Sequence, residues 1–156
     1  MTASATSGAN PLQGLATFQQ SPWLDFIRRG FVQDGSLERL VRAGDIRGVT
    51  SNPAIFQKAM GEGTEYDAQM RDVLAHATPT PGDLYEQLAI RDIQAAAHVL
   101  APVYTASAGR DGFVSLEVSP YLARDEEATA EEAARLWAAV DKANLMVKIP
   151  ATPQSV

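Results

Sequence analysis

Apolar and polar positions along this chain follow two rhythms. Four short apolar runs, PWLDFI (22–27), IRGVTS (46–51), FVSLEVS (113–119) and NLMVKIP (144–150), have the length and bounding residues of strands. Helical spacing fills the intervals between them. A short helix is expected from Ser36 to Ala43, stopped by Gly44, and Asn52-Pro53 ends the second strand and opens another helix. Thr64 with Asp67 resembles a helix start, and Tyr66, Met70, Val73 and Leu74 then share a face. After the loop TPTPG the longest helix is expected from Asp83, with Glu86 in the capping-box position and Leu84, Leu88, Ile93, Ala97 and Leu100 at helical spacing. Pro102 is expected to bend or end it. A turn over Gly109–Gly112 leads to the third strand, and Thr129 with Glu132 is expected to cap a helix reaching about Val140. Residues 1–20 carry no charged side chain and are rich in small polar residues, which predicts a flexible leader ahead of one body, 21–156.

Strands alternating with helices predict an α/β fold with a parallel sheet, and the apolar neighbours of each strand fit a sheet with both faces covered. Two architectures compete: an open doubly wound sheet and a (β/α)₈ barrel, of which four strands make half. No G-x-G-x-x-G or G-x-x-x-x-G-K-[ST] loop follows any strand, so the usual nucleotide chemistry of the doubly wound fold has no support.

Three of the four strands hold one ionisable residue in an apolar setting: Asp25, Glu117 and Lys148. An isolated buried charge is costly, so each must be neutral, paired or turned to a wet cavity. Strand parity sets Asn144, Met146 and Lys148 on one face against Leu145, Val147 and Ile149, and Phe113, Ser115 and Glu117 against Val114, Leu116 and Val118. With the aliphatic faces against helices, Glu117 and Lys148 point to the inside of the sheet near its C-terminal rim, where barrel enzymes place their chemistry. The second strand adds Gly48, Thr50 and Asn52 at that rim, and the first adds Trp23, Asp25 and Ile27. An amine, two carboxylates and an amide therefore converge. An amine nucleophile has to shed its proton, which desolvation favours and nearby carboxylates oppose, and the sequence does not fix that balance. A buried ion network that fixes strand register without catalysis explains the same residues.

Composition narrows the choice. Lysine occurs only at Lys58, Lys142 and Lys148, and the first two lie in polar surroundings. A net charge of −6 argues against a nucleic-acid partner and leaves room for a small phosphorylated metabolite. With no cysteine, and only His76 and His98 as histidines, neither disulfides nor a metal cluster is expected. No run is apolar enough to cross a membrane and the first residues do not read as a signal peptide, so a cytoplasmic location is the default expectation.

Three strings, GVTSNPAIFQKAM, DGFVSLEVSPYLARD and NLMVKIPAT, taken in this order and spacing, resemble the longer bacterial transaldolases, and the similarity runs from about Asn10 to the C-terminus. The resemblance implies a parallel (β/α) barrel of the TIM type, represented by about its first four strands. It further implies a class I aldolase reaction of the pentose phosphate pathway that moves a dihydroxyacetone unit between sugar phosphates, with no metal or organic cofactor. Lys148 then resembles the Schiff-base lysine, and Glu117 the acid/base that works through a water. Asp25 is similar to the aspartate that exchanges a proton with the C4 hydroxyl. Asn52 is similar to the asparagine that holds the dihydroxyacetone portion, with Thr50 beside it.

The sequence departs from the family in having no counterpart of the later barrel strands or of the basic groups that clamp the substrate phosphate. Little or no transfer by these 156 residues alone is therefore expected, as is self-association or pairing with a complementary half-barrel through open sheet edges. The alternatives are a non-catalytic half-barrel and an enzyme of the fructose 6-phosphate aldolase type.

Overall fold

The computed structural model describes residues 10–153. Four strands form where the apolar runs lie, each shorter than its run: β1 (Trp23–Asp25), β2 (Gly48–Thr50), β3 (Val114–Glu117) and β4 (Leu145–Lys148). All pairings are parallel and the order is β1-β2-β3-β4. A doubly wound sheet reverses direction at a switch point. This sheet has no such reversal, and sequential parallel order is how a (β/α) barrel begins.

The seven α-helices among the described residues are α1 (Pro11–Gly14), α2 (Arg29–Gln33), α3 (Ser36–Ala43), α4 (Pro53–Glu62), α5 (Asp67–His76), α6 (Pro81–Ala106) and α7 (Glu126–Val140). Gly44 stops α3 at φ 73°, a left-handed conformation that costs glycine little. The caps of the later helices differ from expectation. Thr80 and Asp83, rather than Asp83 and Glu86, form the capping box of α6, and Pro81 takes the first turn, where its missing N–H is no loss. Glu86 is instead spent on Arg135. Asp125 caps α7 by accepting from the Ala128 N–H, four residues before the expected cap at Thr129. Thr129 lies inside that helix and donates to the Leu122 carbonyl, while Glu132 accepts from the Ser119 N–H. No side chain caps α5; the Asp67 N–H reaches only the Thr64 carbonyl. Pro102 does not end α6, which continues to Ala106. So near the C-terminal end, a proline removes a single donor from an otherwise long helix.

Part of the expected leader is ordered on the body. Pro11–Phe18 are helical, Gln13 donates to the Ala43 carbonyl at 2.6 Å, and Asn10 hydrogen-bonds Asp45. Residues 1–9 lie outside the described residues.

The aliphatic residues of β3 and β4 (Val114, Leu116, Leu145) are buried with Val118 against Ile93, Ala97 and Leu100 of α6 and Leu136 and Val140 of α7. Each such side chain contributes about 1.5–3 kcal/mol by leaving water. Gly112 marks the tightest approach: at φ 82°, a Cβ there would lie 2.3 Å from the Tyr104 nitrogen of α6. The opposite sheet face is open, with Met146 exposed. Parity fails just beyond the strand ends. Ile27 turns into the core instead of the open face, and Asn144 is buried and tied to the carbonyls of Ala97 and Gly112. Ile149 is exposed. Strands of three or four residues fix the direction of their own side chains and not of the residues that follow.

Candidate active site

β3 and β4 pair at four positions, and the last sets Glu117 opposite Lys148. Their side chains share the open face, with Lys148 Nζ 3.1 Å from Glu117 Oε2. The lysine side chain is 40% exposed and the glutamate 20%, so the pair is reachable by a small molecule. Lys148 Nζ also donates to the Ser51 carbonyl at 3.0 Å. The amine therefore reaches past β3 to the end of β2.

β2 and β3 pair in register only at Val49 and Val114. Above that point side chains join them: Ser51 Oγ donates to the Ser115 carbonyl at 2.7 Å, and Ser115 Oγ donates to Thr50 Oγ1 at 2.9 Å. Thr50 in turn stands in register with Asp25 of β1. Asp25 is exposed and makes no hydrogen bond or ion pair among the described residues, so it does not join the Lys148–Glu117 contact. Trp23 lies over Gly48, where a Cβ would come within 2.4 Å of its ring; the indole closes the lower part of the face. Asn52 caps α4 by accepting from the Ile55 N–H at 2.9 Å, which orients its carboxamide at the rim.

Glu117 also lines a cleft of about 470 Å³ between the starts of α4 and α6 and the β3–α7 turn, with Pro53, Gln57, Tyr85, Ser119 and Tyr121. Lys148 does not line it, so this cleft is not the chamber of the amine. Burial pushes the Tyr85 phenol up to about 12, and the nearby charges of Glu117 and Glu86 push the same way. Tyr85 therefore stands as a neutral hydroxyl beside Glu117 at neutral pH. Among the described residues no group of three or more His, Cys, Asp or Glu side chains is placed to hold a metal, and no helix is long and apolar enough to cross a membrane.

A family model described as transaldolase/fructose-6-phosphate aldolase matches residues 22–156. The chain belongs to this family. Members similar to it include a transaldolase of Thermobifida fusca, 46% identical over 147 residues, and transaldolase 1 of Streptomyces coelicolor, 47% identical over 148 residues. A transaldolase of Thiobacillus denitrificans is 43% identical over 150 residues. These alignments cover 94%, 95% and 94% of this chain, which spans 40%, 39% and 41% of the respective relatives. In family terms, the four sequential parallel strands are a TIM-type barrel represented by about its first half.

Sequence reasoning missed Ser51, although it names both flanking residues. What Ser51 offers Lys148 is a main-chain carbonyl, which every residue carries, so residue type gives no signal. Its hydroxyl, at 0% exposure, needs a partner and has one, but that burial is visible only in the fold.

Proposed function

We propose that this chain carries the amine-bearing part of a transaldolase site, in which Lys148 forms a Schiff base with a ketose phosphate. The observation that supports this most directly is the 3.1 Å approach of Lys148 Nζ to Glu117 on the accessible face. The neutral Lys148 amine adds to the C2 carbonyl of the donor sugar, and its proton passes through a water to Glu117. Glu117 returns a proton to the C2 hydroxyl, which leaves as water and yields the iminium ion. Asp25 takes the C4 hydroxyl proton, the C3–C4 bond breaks, and its electron pair flows into the iminium to give an enamine while an aldose phosphate departs. The enamine carbon then attacks the aldehyde of an acceptor aldose phosphate, and the steps run in reverse.

Asp25 has to reach the C4 hydroxyl from β1, three strands from β4. Adjacent strands lie about 4.8 Å apart, so a flat sheet would separate them by roughly 14 Å. Lys148 already covers much of that span, because its amine reaches Ser51 at the end of β2, next to β1. Asn52 supplies an amide for the hydroxyls of the three-carbon unit, and Thr50 a hydroxyl beside it. The proposal includes the pentose phosphate pathway and a cytoplasmic setting, with sedoheptulose 7-phosphate and fructose 6-phosphate as donors.

By themselves, these 156 residues are proposed to transfer little, because they span only about 40% of the length of the relatives they match. Borohydride trapping with fructose 6-phosphate tests the chemistry apart from turnover. A reduced adduct is expected on the peptide containing Lys148 and is expected to vanish in Lys148→Ala. An adduct that persists in Lys148→Ala, or none in the parent chain, overturns the reading; product analysis with an aldose phosphate acceptor separates transfer from simple aldol cleavage. A second reading, a half-barrel that pairs with another copy, is favoured by the unpaired edges of β1 and β4 and by exposed Met146 and Ile149. A concentration-dependent dimer that yields no adduct supports it.

A further inference from the structure

The hydrogen bonding at Ser51 departs from that of a parallel ladder. With Val49 paired to Val114 and the Val49 N–H on the Phe113 carbonyl, a continued ladder would send the Ser51 N–H to the Ser115 carbonyl. It would also bring the Glu117 N–H to the Ser51 carbonyl. The register pairing stops instead. The Ser115 carbonyl receives the Ser51 hydroxyl at 2.7 Å, and the Ser51 carbonyl receives the Lys148 ammonium at 3.0 Å. The side chain has taken the place of its own amide. The hydroxyl is fully buried and this bond is its partner, so its presence is not explained by volume, which alanine would nearly fill.

We infer that Ser51 is a positioning residue for the Lys148 amine: its hydroxyl holds the β2–β3 ladder open so that its carbonyl is free to accept from the amine alongside Glu117. The amine is then held by a neutral acceptor and a charged one. Without the hydroxyl, the ladder can close by one step, turning the Ser51 carbonyl to the Glu117 N–H and releasing Lys148. The inference rests on reading Lys148 as the nucleophile, but the contact itself can be tested without any sugar.

The test is limited trinitrobenzenesulfonate labelling of the intact chain at mildly alkaline pH, read by peptide mass spectrometry. Exposed Lys58 and Lys142 serve as internal standards. In Ser51→Ala the labelling of Lys148 relative to Lys142 is expected to rise about threefold or more, since its ammonium loses an acceptor. Ser51→Thr, which keeps the hydroxyl, is expected to restore the parent ratio. Ser115→Ala keeps the Ser115 carbonyl and loosens the same seam by losing the bond to Thr50; it is expected to leave the ratio unchanged. An unchanged ratio in Ser51→Ala, or an equal rise in Ser115→Ala, overturns the inference. Should Ser51→Ala fail to fold, Ser51→Cys, a weaker donor, must show an intermediate ratio in a folded chain, and the parent ratio there overturns it equally. If labelling behaves as expected while borohydride trapping gives no adduct, the positioning stands and the proposed chemistry fails.

Discussion

Two ion pairs of similar length occupy opposite ends of the range of environments in this molecule. Arg29 Nε and Asp92 Oδ1 are 2.7 Å apart with side chains 7% and 2% exposed. Both carboxylate oxygens and two of the guanidinium nitrogens are engaged. A second guanidinium nitrogen of Arg29 donates to the Leu88 carbonyl, its Cζ lies 4.4 Å from the centre of the Tyr66 ring, and the Tyr66 hydroxyl donates to Asp92 Oδ2 while accepting from the Arg29 backbone N–H. Burial pushes the Asp92 carboxyl up, and the bonds from Arg29 and Tyr66 pull it down. The Lys148–Glu117 pair, by contrast, stands on the open face with room for another molecule. A buried pair of this kind can hold the start of α2 to α6 and do nothing else. A pair left open can exchange a proton.

The largest effect should come from breaking the saturated pair. Asp92→Ala leaves the Arg29 guanidinium buried and unpaired, which costs about 3–5 kcal/mol. Urea unfolding followed by circular dichroism reads this directly. A loss below about 1 kcal/mol, the range of exposed pairs, would erase the distinction between the two sites.

Glu117→Gln breaks the open pair and is expected to give the reverse profile. Its stability should change by under about 1 kcal/mol, as for other solvent-reached pairs. The rate of borohydride trapping at Lys148 should fall about 10²-fold, the lower range for loss of a general acid/base. A variant that traps at the parent rate would make Glu117 a bystander, and one that unfolds as readily as Asp92→Ala would make the pair structural.

The open pair was far more legible in the sequence than the saturated one, and the reason is physical. Lys148 and Glu117 stand out as lone charges in apolar strands, and strand parity sends both to one face. Their contact then follows from pairing of adjacent strands, a local rule. Arg29 and Asp92 lie 63 residues apart on two helices, and nothing in the strings FIRRGF or AIRDIQ announces their meeting. That Asp25 stands outside the Lys148–Glu117 contact was not legible, because β2 and β3 pair in register only at Val49 and side-chain hydrogen bonds join them above it. Helix caps were misplaced because the sequence offers overlapping registers: Thr80 with Asp83 and Asp83 with Glu86 fit the same spacing, and only Pro81 marks the first as the true start.

An exposed carboxylate completes the series and gives the smallest expected effect. Thr80 and Asp83 bond reciprocally at the start of α6: the Asp83 N–H donates to Thr80 Oγ1 at 3.2 Å, and the Thr80 N–H donates to Asp83 Oδ2 at 3.1 Å. The Thr80 hydroxyl and then its backbone N–H hold the Asp83 carboxyl below the ordinary carboxylate range. A carboxyl depressed in the folded state contributes stability that is present above its unfolded pKa and lost as pH falls through its folded value. Asp83→Asn should therefore lower the urea midpoint slightly at neutral pH, and the gap to the parent chain should narrow on acidification below the ordinary carboxylate range. Equal gaps at neutral and acid pH would mean that the charge on Asp83 adds nothing to the cap. In that case, the contrast drawn between closed and open ion pairs would not extend to the surface, where local geometry alone would decide.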